Sequence, residues 1–272
     1  MTPTDLIYTN LISSIQTTGE LVPSRNGSTR RKFDLPNVTF TRTPLVTLRK
    51  TAWSKAIREM EWFLSGDTTC PDELLDWWGP QLNSNKEYIA GYGEQLRSFT
   101  SSFDQIEALI AGIRNHPYSR RHVITTWNPA EMTNIIQLNN NPNTPTTCHT
   151  TIAQFFVSQD RSLSFHSYQR SADMLLGVPH NWIQSWALLL WVCEQTDTFP
   201  GKMLWTFGDA HTYTHISHLQ TVDQLLAIKS PLVSNAPRLI YNGGINSDFR
   251  AADFEMIGAV PEPIVLIKPK LL

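Results

Sequence analysis

The residues best suited to covalent chemistry cluster between Cys148 and Asn181. This stretch opens with Cys148-His149 and runs through an apolar segment ending at Val157. It then reaches Ser167-Tyr168-Gln169-Arg170-Ser171-Ala172-Asp173 and closes with Gly177-Val178-Pro179-His180-Asn181. A thiol, a guanidinium, a carboxylate and a side-chain amide therefore share segments that read as two strands and the start of a helix. A thiolate beside a guanidinium is a poised nucleophile, because the positive charge stabilises the anion. A primary amide offers one donor and one acceptor on a single edge, which suits a lactam-type base such as uracil. These residue types point to a cysteine nucleophile acting on a pyrimidine.

The rest of the chain must supply the scaffold. Residues 4–17 read as a helix that Thr4 can cap, with Ile7, Leu11, Ile12 and Ile15 on one face and Gly19 after its end. Pro23 to Thr29 reads as a polar, Gly-containing loop. Arg25 and backbone N–H groups there can take a phosphate, although an ordinary surface loop has the same composition. A short strand holding Val38 and Phe40 precedes Pro44-Leu45-Val46-Thr47 and the pair Arg49-Lys50. A second helix, about 52–65, aligns Trp53, Ile57, Met60 and Leu64 and stops at Gly66. Glu59 and Glu61 interrupt its apolar half. Both read as solvated, but Glu59 adjoins the stripe and equally suits a carboxylate facing a pocket.

Residues 67–103 read as loop-rich and aromatic, with Trp77-Trp78 and Tyr92, the kind of segment that covers a site. A helix over about 104–114 leads through Ser119-Arg120-Arg121 into a strand at 122–127. Paired arginines there are either solvated or a seat for a dianionic phosphate. After an Asn-rich connection come strands at about 150–157 and 162–169. The helix over about 180–194 is apolar on nearly all faces and belongs in the centre of the core. A strand at 202–207 leads to Gly208-Asp209-Ala210-His211-Thr212-Tyr213, then a helix at 214–228 and late strands near 237–241 and 252–258. Without regular βαβ alternation, the class is α+β, in one domain spanning 1–272.

Composition sets the outer limits. The 272 residues are 41% hydrophobic, with nine Trp and twelve Phe, enough for a full core. A net charge of −2 argues against a non-specific nucleic-acid binder, so any anion must be held by local arginines. Three cysteines, Cys70, Cys148 and Cys193, lack metal-type spacing and suggest a reducing compartment with no disulfide framework. With no signal-like start and no apolar run long enough for a membrane span, the expectation is a soluble cytoplasmic protein.

Taken in order, these motifs resemble the thymidylate synthase family from about Arg25 to Glu255. Cys148-His149, Tyr168 to Asp173, Gly208 to Tyr213 and Ser119-Arg120-Arg121 carry the likeness most strongly. Weaker matches are Pro44 to Thr47, Glu59 with Trp62-Phe63-Leu64, and Asp253-Phe254-Glu255. The resemblance implies a large, mostly antiparallel sheet with helices on one face, two sheets packing back to back in a homodimer. It implies that Cys148 adds to C6 of the pyrimidine, making C5 nucleophilic toward the methylene carbon of 5,10-methylenetetrahydrofolate. Arg25, Arg170 and Ser171 would hold the nucleotide phosphate, joined by Arg120 and Arg121 from the other subunit, with Arg170 also activating the thiol. Glu59 would organise water for proton transfers, assisted by Tyr92 and His149. Asp173 would bind the pterin, Trp78 with Arg49 and Lys50 the folate and its tail, and His211 with Tyr213 the deoxyribose hydroxyl. Cys193 reads as core, and Cys70 carries no assigned role.

Asn181 falls where the family reads the base edge. Its amide can accept from uracil N3–H and donate to O4, whereas relatives that use cytidylate carry a carboxylate there, so dUMP is favoured over dCMP. The product turns on water. Hydride finishing the C5 substituent gives a methyl group, and water gives a hydroxymethyl group. Compared with thymidylate synthases, the second tryptophan after Trp78 is Gln81, the tryptophan before Arg97 is Leu96, and the tail ends Ile267 to Leu272 in an unusual sequence. Arg58-Glu59-Met60-Glu61-Trp62 also looks like the corresponding helix of viral deoxycytidylate hydroxymethylases. The expectation is a deoxyuridylate hydroxymethylase, of the sort that serves a bacterial virus, ahead of thymidylate synthase. A non-catalytic nucleotide- or RNA-binding relative would have damaged catalytic positions, yet Cys148, Arg170, Glu59 and Asn181 are all present.

Overall fold

The computed structural model describes residues 1–24, 26–89, 91–131, 150–229, 231 and 235–265. Helix α1 (Pro3–Thr18) starts from a capping box at Thr2, not at the expected Thr4. Thr2 accepts from the backbone of Asp5 while Asp5 accepts from that of Thr2, and Pro3 occupies the first turn, where its missing N–H costs nothing. Asp5 is fully buried and also accepts from Thr47 N and Thr47 Oγ1, both at 2.7 Å, and from Leu48 N at 3.3 Å. One carboxylate thus ties the helix start to the segment that carries Arg49.

The polar stretch read as a loop is a hairpin instead: β1 (Glu20–Ser24) pairs antiparallel with β2 (Gly27–Lys32). Gly27, at φ +99°, supplies the left-handed backbone that this turn requires. The remaining strands of the main sheet are β3 (Val38–Phe40), β4 (Val123–Thr125), β5 (Thr150–Val157), β6 (Ser162–Asp173) and β7 (Phe199–Tyr213). Their order is β1-β2-β7-β6-β5-β4, with β3 also paired to β7. All pairs are antiparallel except β6 with β7, and a parallel pair needs a long crossover. Helix α6 (Val178–Thr196) is that crossover.

Strands β6 and β7 run further than their apolar patterns suggest. β6 continues through Asp173, and β7 continues through Gly208 to Tyr213. The polar runs Arg170 to Asp173 and Asp209 to Tyr213 fall beyond the expected strand ends, yet they lie side by side, with Ser171 opposite Asp209 and Asp173 opposite His211. Gly208 permits this, since a Cβ there would sit 2.6 Å from the Arg170 carbonyl and 2.7 Å from Tyr168 Oη.

The helices on this scaffold are α2 (Trp53–Ser65), α3 (Leu75–Trp78), α4 (Tyr92–Arg97), α5 (Gln105–Asn115) and α7 (Ile216–Ala227), besides α1 and α6. α3 and α4 fall in the stretch read as loop, being too short to show a period. Gly66 ends α2 in the left-handed conformation, as its position predicts. α6 is the core element that its composition implies, with Trp182, Ile183, Ala187, Leu189 and Val192 fully buried. Burial of side chains such as Ile183 and Leu189 contributes roughly 1.5–3 kcal/mol each. Two further strands, β8 (Arg238–Tyr241) and β9 (Phe254–Ile257), form a separate antiparallel pair. β5 alternates strictly, burying Ala153, Phe155 and Val157 while Ile152 and Phe156 stay exposed, as do Val123 and Phe199. The described residues therefore form a large, mostly antiparallel sheet with helices, an α+β fold.

Candidate active site

Glu59 sits on the buried side of α2, only 7% exposed, so the solvated reading does not hold for it. Trp78, closing α3, donates from Nε1 to Oε1 at 2.5 Å, and Gln184 on α6 donates from Nε2 to Oε2 at 2.8 Å. Burial raises the carboxyl to about 7, against the opposing pull of those two hydrogen bonds and of Lys55. A carboxyl near neutrality can both give and take a proton. Glu61, by contrast, pairs with Arg58 at 3.4 Å and accepts from Ala251 N at 2.9 Å.

Three residues C-terminal to the cap of α6, His180 locks that helix to α2. Its Nδ1 meets the Leu176 carbonyl at 2.7 Å and its Nε2 meets the Ala52 N–H at 3.2 Å. A carbonyl only accepts and an amide N–H only donates, so the ring is the neutral Nδ1–H tautomer. Burial lowers its pKa to about 4, which keeps it neutral. The next residue, Asn181, accepts at Oδ1 from Gln169 Nε2 at 3.1 Å. Gln169 is buried and in turn accepts from Trp205 Nε1 at 3.1 Å, so the amide of Asn181 is set by a chain of buried partners. Its Nδ2 has no hydrogen-bond partner among the described residues.

On the strands, the Arg170 guanidinium lies 4.9 Å over the Trp127 ring, beside Ser171. Asp173 accepts through Oδ1 from Leu175 N at 2.8 Å and Leu176 N at 3.0 Å, which fixes the carboxylate at the turn into α6. Opposite it, His211 lies 3.7 Å from Asp209 and edge-on to Tyr213, ring centroids 5.4 Å apart. Burial pulls the His211 pKa down, but Asp209 and Asp173 outweigh it, and the net shift is upward. Asp209 is itself anchored by Arg31 on β2 at 3.2 Å. Tyr92 opens α4, stacks on Phe63 at 4.5 Å and accepts from Thr150 N at 3.3 Å, which places its hydroxyl at the start of β5.

The structure therefore gathers Glu59, Trp78 and Asn181 around α6, and Arg170, Ser171, Asp173, His211 and Tyr213 on the two parallel strands. Arg49 is buried, with Nη1 free of hydrogen-bond partners, while Lys50 is exposed. Asp173 with one oxygen uncommitted and Lys50 facing solvent fit a folate, the first through ring N–H groups and the second through an acidic tail. Arg120 and Arg121 are exposed just before β4, on the far side of β5 from β6. Within one chain β5 separates their end of β4 from β6, which carries Arg170. Cys148, His149 and Arg25 lie outside the described residues, as do the Asn-rich segment and the last seven positions.

Gln184, Gln169 and His180 hold the site together and were not singled out from the sequence. One signal was available, since Gln184 is a polar residue amid Trp182, Ile183 and Trp186 in a helix that is otherwise core. The two described thiols are poor nucleophiles: burial pushes Cys70 up to about 11 and Cys193 up to about 12. Among the described residues, no group of His, Cys, Asp and Glu is placed to hold a metal ion, and no helix is long and apolar enough to cross a membrane. A cavity of about 710 Å³ opens at the other end of α6, between Trp186, Leu190, Cys193, Leu239 and Tyr241. None of the candidate site residues lines it. The family model for thymidylate synthase matches residues 6–269, which takes in every one of those site residues, and the chain belongs to the thymidylate synthase family.

Proposed function

We propose that this chain converts dUMP to 5-hydroxymethyl-dUMP, the carbon coming from the folate and the hydroxyl from water. The family's chemistry is one-carbon transfer to C5 of dUMP, with 5,10-methylenetetrahydrofolate as donor. In our reading Cys148 adds to C6, because C5 of uracil is a poor nucleophile until C6 is saturated. Arg170 and Ser171 hold the phosphate with Arg25, and Asn181 reads N3–H and O4. Glu59, poised near neutrality, relays protons at O4 and C5 through water. His149 and Tyr92 assist it. Asp173 and Lys50 orient the folate, with Trp78 and Arg49 behind them, and His211 with Tyr213 takes the sugar hydroxyl.

The observation that carries the choice of water is Gln81. It lies one tight turn after Trp78 and is half-buried, presenting an amide where the resemblance expects an indole. An amide covers less apolar area and hydrogen-bonds water. Leu96, the other replaced tryptophan, is 4% exposed, so the change there reduces packing volume in the core. Thymidylate synthesis is the second reading, supported by the description of the matching family.

We also propose that a second copy packs on the outer face of the sheet and lends Arg120 and Arg121 to the phosphate. Val123, Ile152, Phe156 and Phe199 are exposed there, an apolar surface that a monomer would leave in water. Mass spectrometry of the nucleotide formed from dUMP and methylenetetrahydrofolate, with dCMP run alongside, tests the reaction. A hydroxymethyl product supports the reading, a methyl product replaces it with thymidylate synthesis, and turnover of dCMP alone overturns the role given to Asn181.

A further inference from the structure

We propose that Gln184 is the positioning residue for Glu59: its side-chain amide holds the second carboxylate oxygen and keeps the group competent for proton transfer at working pH. The inference rests on the role given to Glu59 above and adds the residue that tunes it.

Three observations converge on it. First, Gln184 is buried at 4% exposure within the core helix, where an unpaired amide is costly, and its Nε2 meets Glu59 Oε2 at 2.8 Å. Second, it lies three positions after Asn181, so the base reader and the carboxylate holder share one face of α6. The base and the proton-transfer group are thereby referred to the same rigid element, which His180 clasps to the start of α2. Third, both donors to Glu59 are neutral. Trp78 takes one oxygen and Gln184 the other.

A cation in place of either would draw the carboxyl toward permanent ionisation, and an apolar residue would leave it protonated. The charged and titratable neighbours are Lys55 on α2 itself and Cys70 on the following loop. Lys55 is ion-paired with Asp76 and lies 5.0 Å over the Trp77 ring, so its charge is already engaged. Neither α3 nor α6 is shown to present another charge to Glu59. The amide at 184 is thus, with the Trp78 indole, a neutral donor that offsets burial without overshooting. This state suits a group that must exchange protons near pH 7.

The test is the pH dependence of kcat for dUMP turnover in the intact protein and in Gln184→Met, Gln184→Glu and Glu59→Gln. Gln184→Met removes the hydrogen bond to the charged form, so the limb of the profile set by Glu59 moves to higher pH by about one unit. Gln184→Glu places a second carboxyl there and moves the limb at least as far. Glu59→Gln loses that limb altogether. A rate that falls in Gln184→Met at every pH with the limb unmoved means the residue only packs, and overturns the inference alone. If Glu59→Gln keeps the intact profile, the role of Glu59 falls and takes this inference with it. Gln184→Asn keeps the amide but falls a methylene short of the oxygen. It shifts the limb as Gln184→Met does, and provides the same reading should the methionine variant not fold.

Discussion

At its N-terminal end α6 carries His180, Asn181 and Gln184, and each of them meets a hydrogen-bonding group on another element or turn. At its C-terminal end Trp186, Leu190 and Cys193 line an open cavity of about 710 Å³, with Arg42, Glu194 and Arg238 exposed at its rim. The two ends differ in how their polar groups are held. Near the N-terminal end Glu59 is buried and gripped by Gln184, Asn181 is held by Gln169, and His180 is a neutral imidazole bonded to the Leu176 and Ala52 backbone. Chemistry needs side chains whose geometry and protonation are fixed by partners, and among the described residues that arrangement is found at the N-terminal end.

Substitutions can break or sharpen this contrast. The largest effect belongs to Glu59→Gln, which removes the exchangeable proton and lowers kcat for dUMP by ~10²–10⁴, the usual contribution of a general acid or base. Wild-type turnover in that variant would erase the contrast.

The second effect is on stability. The Glu59 carboxyl titrates near 4.5 unfolded and about 7 folded, so the folded chain holds its proton longer. Stability from that neutral carboxyl is fully present below about 4.5 and is lost as pH rises through about 7. In total it amounts to roughly 3 kcal/mol. Urea midpoints at pH 5 and pH 8 should therefore differ by more in the intact protein than in Glu59→Gln. Equal differences would mean that the carboxyl is not buried as described.

A third test acts on the base reader. Asn181→Asp replaces the donor by an acceptor, so the ratio of kcat/KM for dUMP over dCMP should fall by ~10–100-fold through a lost and mispaired hydrogen bond. An unchanged ratio would remove Asn181 from base reading. The smallest effect lies at the cavity end. Cys193→Ala deletes one buried sulfur and should lower stability by roughly 1 kcal/mol with turnover intact, read as a modest drop in Tm. Loss of turnover there would make the cavity part of the site.

The same contrast governs what could be read from the sequence. α6 was legible as core because nearly every position from Trp182 to Val192 is apolar, and Gly66 was legible as a helix end. Glu59, Asn181, Arg170 and Asp173 were singled out through motifs that name residue types at set positions. The β1–β2 hairpin was not, because its polar alternation matches that of a loop until β7 provides a partner. The extensions of β6 and β7 were hidden for a similar reason. The buried positions there are the small or polar Ala172, Ala210 and Thr212, so the alternation of the strand does not show as an apolar pattern. Gln169 and Gln184 were missed because a glutamine's importance lies in what it touches, and that is set by the fold. The Thr2 cap was missed by two positions, within the usual uncertainty of helix ends.

The most direct test is release of tritium from C5 of labelled dUMP in the presence of methylenetetrahydrofolate, a step common to hydroxymethyl and methyl products. The intact chain, Glu59→Gln and Cys193→Ala would be compared in one assay. The account predicts release by the intact chain and by Cys193→Ala at similar rates, and a loss of ~100-fold or more in Glu59→Gln. Release that survives in Glu59→Gln, or that disappears in Cys193→Ala, would contradict it.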